Sequence, residues 1–137
     1  MNQLDIISAS EAKIEEVNEF LVKNESLDRD GLLNKGYVVE VNSKIEGCFV
    51  LDDYEDGSVH WLKQLYITRN HANKLPVLLE SILAIAKSKQ AKSVYVHSHQ
   101  PFVDILLEAL QFHPQSGTDF VDKHPITKGN WWSYQVS

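Results

Sequence analysis

Three histidines carry most of the chemical promise of this 137-residue chain. His97 and His99 stand two apart at the end of the β-branched run Val94-Tyr95-Val96, so they share a face if the strand continues, and His71 lies in a polar turn upstream. Imidazole titrates near neutral pH, which makes either member of the pair a candidate general base, taking a proton from an attacking amine directly or through water. As metal ligands the three lack company, because no Cys or carboxylate neighbours them at ligand spacing. Cys48, the single cysteine, sits in an apolar run and reads as a small buried thiol. Ser98 has no chain of partners, so neither a Ser-His-Asp nor a Cys-His nucleophile is indicated. The acidic stretch Asp52 to Gly57 departs from calcium-loop spacing and reads as a solvated hairpin turn.

A second candidate is the polar turn Arg69-Asn70-His71-Ala72-Asn73-Lys74 before an apolar helix starting at Leu75. A helix N-terminus presents orphan N–H groups and a positive dipole end, a ready anion site. Close approach of backbone to an anion favours residues without a Cβ, yet the chain has no glycine between Gly57 and Gly117. Arg69 and Lys74 can offset phosphate charge, and the alternative is a plain polar cap.

The elements around these residues follow from periodicity. Leu4 to Ile7 predicts a short strand, and Ser8-Ala-Ser-Glu11 has the spacing of a capping box opening a helix to about Lys23, with Ile14, Val17, Phe20 and Leu21 inward. Asn24 to Lys35 is polar and reads as a loop or short helix. Tyr37 to Val41 and Ile45 to Leu51 predict a hairpin closed by Asn42-Ser43-Lys44, and a strand from Val59 to Thr68 follows. Leu75 to Lys89 predicts a crossover helix with Pro76 in its first turn, Ser93 to Ser98 a buried parallel strand, and Pro101 to Phe112 a helix whose solvent stripe is Asp104 and Glu108. Terminal strands are expected near Thr118 to Val121 and Trp131 to Val136. Alternation puts Trp131 and Trp132 on opposite faces, one in the core and the other, with Tyr134, at a partner, ligand or edge. Trp61 reads as core.

Length fits one domain spanning residues 1–137, large enough for a core without disulfides or metal. The 13 basic against 19 acidic residues, a net charge of −6, disfavour nucleic acid and anionic membrane and suit a neutral or cationic substrate. A lone cysteine, no secretory pattern at the start and no membrane-length apolar run lead to the expectation of a cytoplasmic protein.

Strand, helix, meander, crossover helix, parallel strand, helix and a final strand pair make a mixed α/β order. In this order, and most strongly from Trp61 to Phe112, the sequence resembles the GNAT family of acyl-CoA-dependent N-acetyltransferases. The resemblance implies a mixed, twisted sheet of about six to seven strands with helices on both faces, splayed after the strand ending near Thr68. It implies that Leu65, Tyr66 and Ile67 pair with the pantetheine arm of acetyl-CoA, that Asn70, His71, Ala72, Asn73 and Lys74 form the pyrophosphate turn, and that Gln100 takes the place of a common Asn. The family's Gln/Arg-x-x-Gly-x-Gly/Ala turn has lost both glycines here. Leu107 replaces a Tyr that often reprotonates the departing thiolate, and Gln111 replaces the Gly of Leu-Gly-Phe in Leu110-Gln111-Phe112. His60, Lys63 and Gln64 occupy a strand where relatives often carry a catalytic Glu, with Glu40 next door a weaker substitute.

Three functional classes follow. One is acetyl transfer from acetyl-CoA to a small-molecule or peptide amine by direct attack, with His97 or His99 as the base. The second is a catalytically silent GNAT-like module that binds CoA, another small molecule or a protein. The third is a structural or interaction protein whose aromatic C-terminal strand makes a homodimer.

Overall fold

A computed structural model of the protein describes residues 4–24, 27–115, 119–124, 126 and 128–136. Seven strands form one sheet in the order β1-β2-β3-β4-β5-β7-β6. They are β1 Leu4–Ser8, β2 Gly36–Val41, β3 Lys44–Tyr54, β4 Val59–Ile67, β5 Ser93–Ser98, β6 His113–Gln115 and β7 Asn130–Gln135. The helices are α1 Ile14–Lys23, α2 Arg29–Lys35, α3 Leu75–Ser88, α4 Pro101–Ala109 and α5 Asp119–Lys123, and Arg69–Lys74 is a 3-10 turn leading into α3. β4 and β5 run parallel, while β1/β2, β2/β3, β5/β7 and β6/β7 are antiparallel. This is the mixed α/β layer order expected from the sequence.

The chain groups into two compact units, Met1–Asp52 with Lys63–Leu78, and Asp53–Leu62 with Leu79–Ser137. In the first, Val17, Phe20 and Leu21 of α1 pack with Leu32, Val38, Cys48 and Val50. Burying each such side chain stabilises by roughly 1.5–3 kcal/mol, so a three-residue stripe suffices to hold α1. Ile14 was expected on that stripe, but it opens the helix and is 51% exposed. The hairpin between β2 and β3 turns on Asn42 and Ser43, both at positive φ (55° and 66°), the primed-turn geometry that matches strand twist. In the second unit, Val59, Phe120 and Trp131 gather Tyr54, Trp61 and Tyr95 into an aromatic cluster.

Several expectations need correction. Ser8 is the last residue of β1, paired with Tyr37, and its carbonyl accepts the N–H groups of Glu11 and Ala12. The Ser8-to-Glu11 segment is therefore a turn, and α1 begins three residues later behind Lys13 without a side-chain cap. The expected strand over Thr118 to Val121 is helical where described, in α5; Thr118 lies outside the described residues. Phe120, Val121 and His124 recur at helical spacing, and a run that short is ambiguous by periodicity. The strand preceding β7 is instead His113–Gln115. α4 ends at Ala109, and Gln111 takes φ 71° while Phe112 N–H returns to the Leu107 carbonyl, so Gln111 adopts the left-handed stop a glycine would supply. Asp104 was expected in solvent but accepts the Trp132 indole N–H at 2.9 Å, leaving Phe102 and Ile105 exposed. Neither tryptophan is at a surface. Trp131 and Trp132 are 5% and 6% exposed because both faces of β7 are covered.

Gly47 in β3 tests how tightly β4 is seated. A Cβ there would lie 2.5 Å from the Tyr66 carbonyl oxygen and 3.3 Å from Ile67 Cα. Both are backbone atoms that a rotamer change cannot move. Gly47→Ala should destabilise the protein by about 1–3 kcal/mol in urea unfolding, and an unchanged midpoint would show that β4 is free to shift.

Candidate functional site

β4 changes character at Gln64. Its pairing with β5 runs from Val59↔Ser93 to Leu62↔Val96 and stops, although β4 continues to Ile67 and β5 to Ser98. Gln64 has φ 54°, a left-handed backbone that a non-glycine residue inside a strand adopts only when held there. The Cys48 thiol, 3.6 Å away, donates to its carbonyl, and the Asp28 N–H makes a long 3.4 Å bond to its side-chain oxygen. Burial pushes the Cys48 thiol up to about 12, so it keeps the proton that this contact uses. Cys48 is thus a structural donor, buried as its apolar run suggests. Beyond the kink, Leu65, Tyr66 and Ile67 are half-buried.

The polar turn that follows is closed by its own hydrogen bonds. His71 N–H donates to the Thr68 carbonyl and Leu75 N–H to the Ala72 carbonyl, so the 3-10 turn Arg69–Lys74 runs directly into α3. In such a turn the orphan amides are the first ones, at Arg69 and Asn70, rather than those at the start of α3. Asn70, Ala72 and Asn73 are exposed, and His71 and Lys74 half-buried.

Glu46, which sequence reading passed over, organises this region. The β2/β3 register passes from Val39↔Gly47 to Glu40↔Ile45, so Glu46 is the extra residue of a bulge and is re-aimed out of the ladder. Its carbonyl accepts the Thr68 N–H at 2.8 Å, and its carboxylate accepts the Thr68 hydroxyl at 2.8 Å and lies 3.3 Å from His71 Nε2. The signal was the Glu-Gly pair inside a strand, since an interior glycine often marks a bulge. Glu46 also lines a cavity of about 520 Å³ in the same unit, with Glu16, Glu19, Phe20, Tyr66 and Asn70 among its walls. A volume of that order suits a small ligand. Lys63 on β4 is paired with Asp52 at 2.9 Å, and Asp52 also holds Lys35 at 3.0 Å, so the carboxylate next to β4 is already engaged by two ammonium groups. Glu40 sits in β2 opposite Asp5.

In the second unit, His97 and His99 part company. His97 is half-buried, its ring centroid 5.3 Å from that of Trp131, while His99 lies past the end of β5 and is exposed. Burial lowers the His97 pKa below its usual value; a hydrogen bond to the Lys128 carbonyl and the Asp104 charge act the other way, and His99 reinforces the lowering. Its Nε2 is buried without a partner. His60 is 3% exposed, again with its pKa lowered by burial and with Nδ1 unpartnered. Gln100 precedes α4, exposed, and its backbone N–H donates to Ser98 Oγ at 3.3 Å. Leu107 is fully buried. Of the residues singled out in the sequence, the first unit thus holds Leu65 to Lys74, and the second holds His97, His99 and Gln100. Among the described residues no three His, Cys, Asp or Glu side chains are grouped to hold a metal ion. Among the described residues no helix is long and apolar enough to cross a membrane.

The lowered histidines make stability pH-dependent. The unfolded chain protonates them near 6.5 and the folded chain only at lower pH, so the unfolded state binds more protons in between. Their contribution is complete above 6.5 and is lost as pH falls through the folded values. Denaturant midpoints should fall from about pH 7.5 to 5 and fall less steeply in His60→Gln or His97→Gln; parallel slopes would place the titrating groups elsewhere.

No family model matches this chain, and no curated protein matches it. Solved structures do. A GNAT-family acetyltransferase from Staphylococcus aureus aligns with a TM-score of 0.72 at 18% identity, over 98% of this chain and 100% of that one. N-acetylglutamate synthase from Neisseria gonorrhoeae, complexed with coenzyme A and N-acetyl-glutamate, aligns at 0.74 and 12% identity over 98% of this chain and 35% of that one. A GNAT family acetyltransferase from Elizabethkingia anophelis with acetyl-CoA bound aligns at 0.65 and 15% identity, over 98% and 97%. Identities this low speak to architecture, and on architecture the matches agree with the strand order and the parallel β4/β5 pair: the chain has the fold of the GNAT acetyltransferases.

Proposed function

We propose that this chain binds the thioester arm of acetyl-CoA along β4 and transfers the acetyl group to a small-molecule or peptide amine by direct attack. The observation that carries this reading is the end of β4/β5 pairing at Leu62 while β4 runs on to Ile67. The β4/β5 register does not extend to Leu65–Ile67, and an extended, amide-bearing arm pairs with strand backbone groups as a further strand would. The amine forms the new N–C bond as the C–S bond breaks; it sheds one proton, and the thiolate takes one up. An ammonium must lose its proton first, and the reading assigns that step to His97 or His99. Leu107, buried and apolar, has no proton to return, so the thiolate takes its proton from water or leaves as it is. The acidic balance of the chain favours a cationic acceptor, while the cavity beside Glu46 carries Glu16 and Glu19 together with Lys23 and Lys44.

The phosphate end of the cofactor has less to hold it, because the turn closes on itself from the His71 amide onward and leaves the first amides, at Arg69 and Asn70, as the orphans. A specific second reading, binding without chemistry, draws on the same closed turn and on Leu107. Calorimetry separates affinity from its source: acetylpantetheine should bind within about tenfold of acetyl-CoA, a difference of about 1.4 kcal/mol. Acetyl-CoA binding hundreds of times tighter would restore a working phosphate site, and undetectable binding of both would sink the thioester reading. Amine-dependent release of free thiol then distinguishes transfer from silent binding.

A further inference from the structure

We propose that Lys128 to Trp131 is the positioning segment for His97: the Lys128 carbonyl fixes its tautomer, Gly129 leaves room for its ring, and the Trp131 indole N–H and the free His97 nitrogen share the water through which the imidazole takes a proton. The proposal rests on the reading that an imidazole of β5 handles the amine proton.

The geometry is local and specific. His97 and Trp131 are cross-strand partners in the β5/β7 ladder, with ring planes at 72°. His97 Nε2 has no partner, so the hydrogen bond to the Lys128 carbonyl belongs to Nδ1, which must carry the proton to donate. That leaves Nε2 as an acceptor. Trp131 Nε1, on a side chain 5% exposed, is a donor with no acceptor. One buried donor and one buried acceptor on paired residues are an unsatisfied couple that a single water completes, with the indole donating to the water and the water donating to Nε2. Gly129 cannot be replaced without disturbing this. Its φ is +89°, and a Cβ would collide with the Ser98 carbonyl oxygen and come within 2.9 Å of His97 Cε1 and 3.0 Å of His99 Cα. The titratable groups acting on the ring are His99, just past the end of β5, and Asp104 on α4, with the Lys128 backbone carbonyl beside them, so any shift in its titration has to be read against these three.

The test begins with the unaltered protein, whose His97 tautomer is read by nitrogen-15 NMR of the labelled imidazole and requires no variant to fold. The proton is expected on Nδ1; a dominant Nε2–H form overturns the clamp whatever the activity. Trp131→Phe keeps an aromatic ring and removes the donor. It should preserve the tautomer and lower kcat about tenfold or more with KM little changed, and a wild-type kcat in this variant overturns the shared water. Gly129→Ala should mix the tautomers and, because the Lys128 hydrogen bond raises the His97 pKa, its loss should move the titration further below 6.5. An Nδ1–H tautomer in a protein that acetylates no amine, with acetyl-CoA bound, overturns the transfer reading and the water's role with it, and is thereby distinguished from failure of the clamp.

Discussion

The left-handed backbone at Gln64 is the constraint on which the rest depends. A regular strand would continue its ladder to the end of β4, and every backbone group would have a partner. At Gln64 the chain leaves the pleat, and the β5 ladder has already stopped at Leu62. A non-glycine residue in that conformation is strained by of order 1–3 kcal/mol, so neighbours must hold it there. Cys48 and Asp28 do so from β3 and from the start of α2, through one thiol and one amide. Gly47 gives β4 its close seat, because nothing larger fits against the Tyr66 carbonyl.

The polar turn after β4 shows how a turn without glycines spends its amides. Glycines in such a turn let the chain open its amides outward. Here the chain coils into a 3-10 turn continuous with α3, and hydrogen-bond accounting leaves the first amides free in place of the central ones. Glu46 holds the turn in that state by accepting from Thr68 and standing against His71. His71, which looked like a site residue, is a side chain tied to a bulge.

In the second unit the decisive feature is coverage. Phe120 of α5 stands edge to face with Trp61 and Trp131 and tilted against Tyr95, His124 just after the helix meets Trp61 edge to face, and each such pair adds roughly 0.5–1.5 kcal/mol beyond burial. Trp131 half-buries His97, while His99, past the end of β5, stays exposed. Two residues of the same type, two apart in sequence, therefore differ in chemistry.

Much of the fold was legible in the residues. Alternating apolar positions gave β2, β3 and β5, helical spacing gave α1, α3 and α4, and the order of these elements led to a mixed sheet with a parallel β4/β5 pair, because local periodicity is written by burial on one face. The missing glycines and Leu107 were equally plain, and what they remove follows from their own chemistry. Short segments were not legible: α5 and β6 are too brief for periodicity to choose between helix and strand, and their form goes with the aromatic cluster that α5 joins and the β7 strand that β6 pairs with. Glu46 could not be found either, since a bulge is a mismatch between two strands and exists only when both are paired. Whether an imidazole is buried, which of its nitrogens is free, and which amides a turn consumes are likewise properties of neighbours brought together from distant parts of the chain. The sequence determined which groups are present and which elements carry them; the tertiary structure decided which of those groups remain available, because availability is what hydrogen-bond pairing and burial leave over.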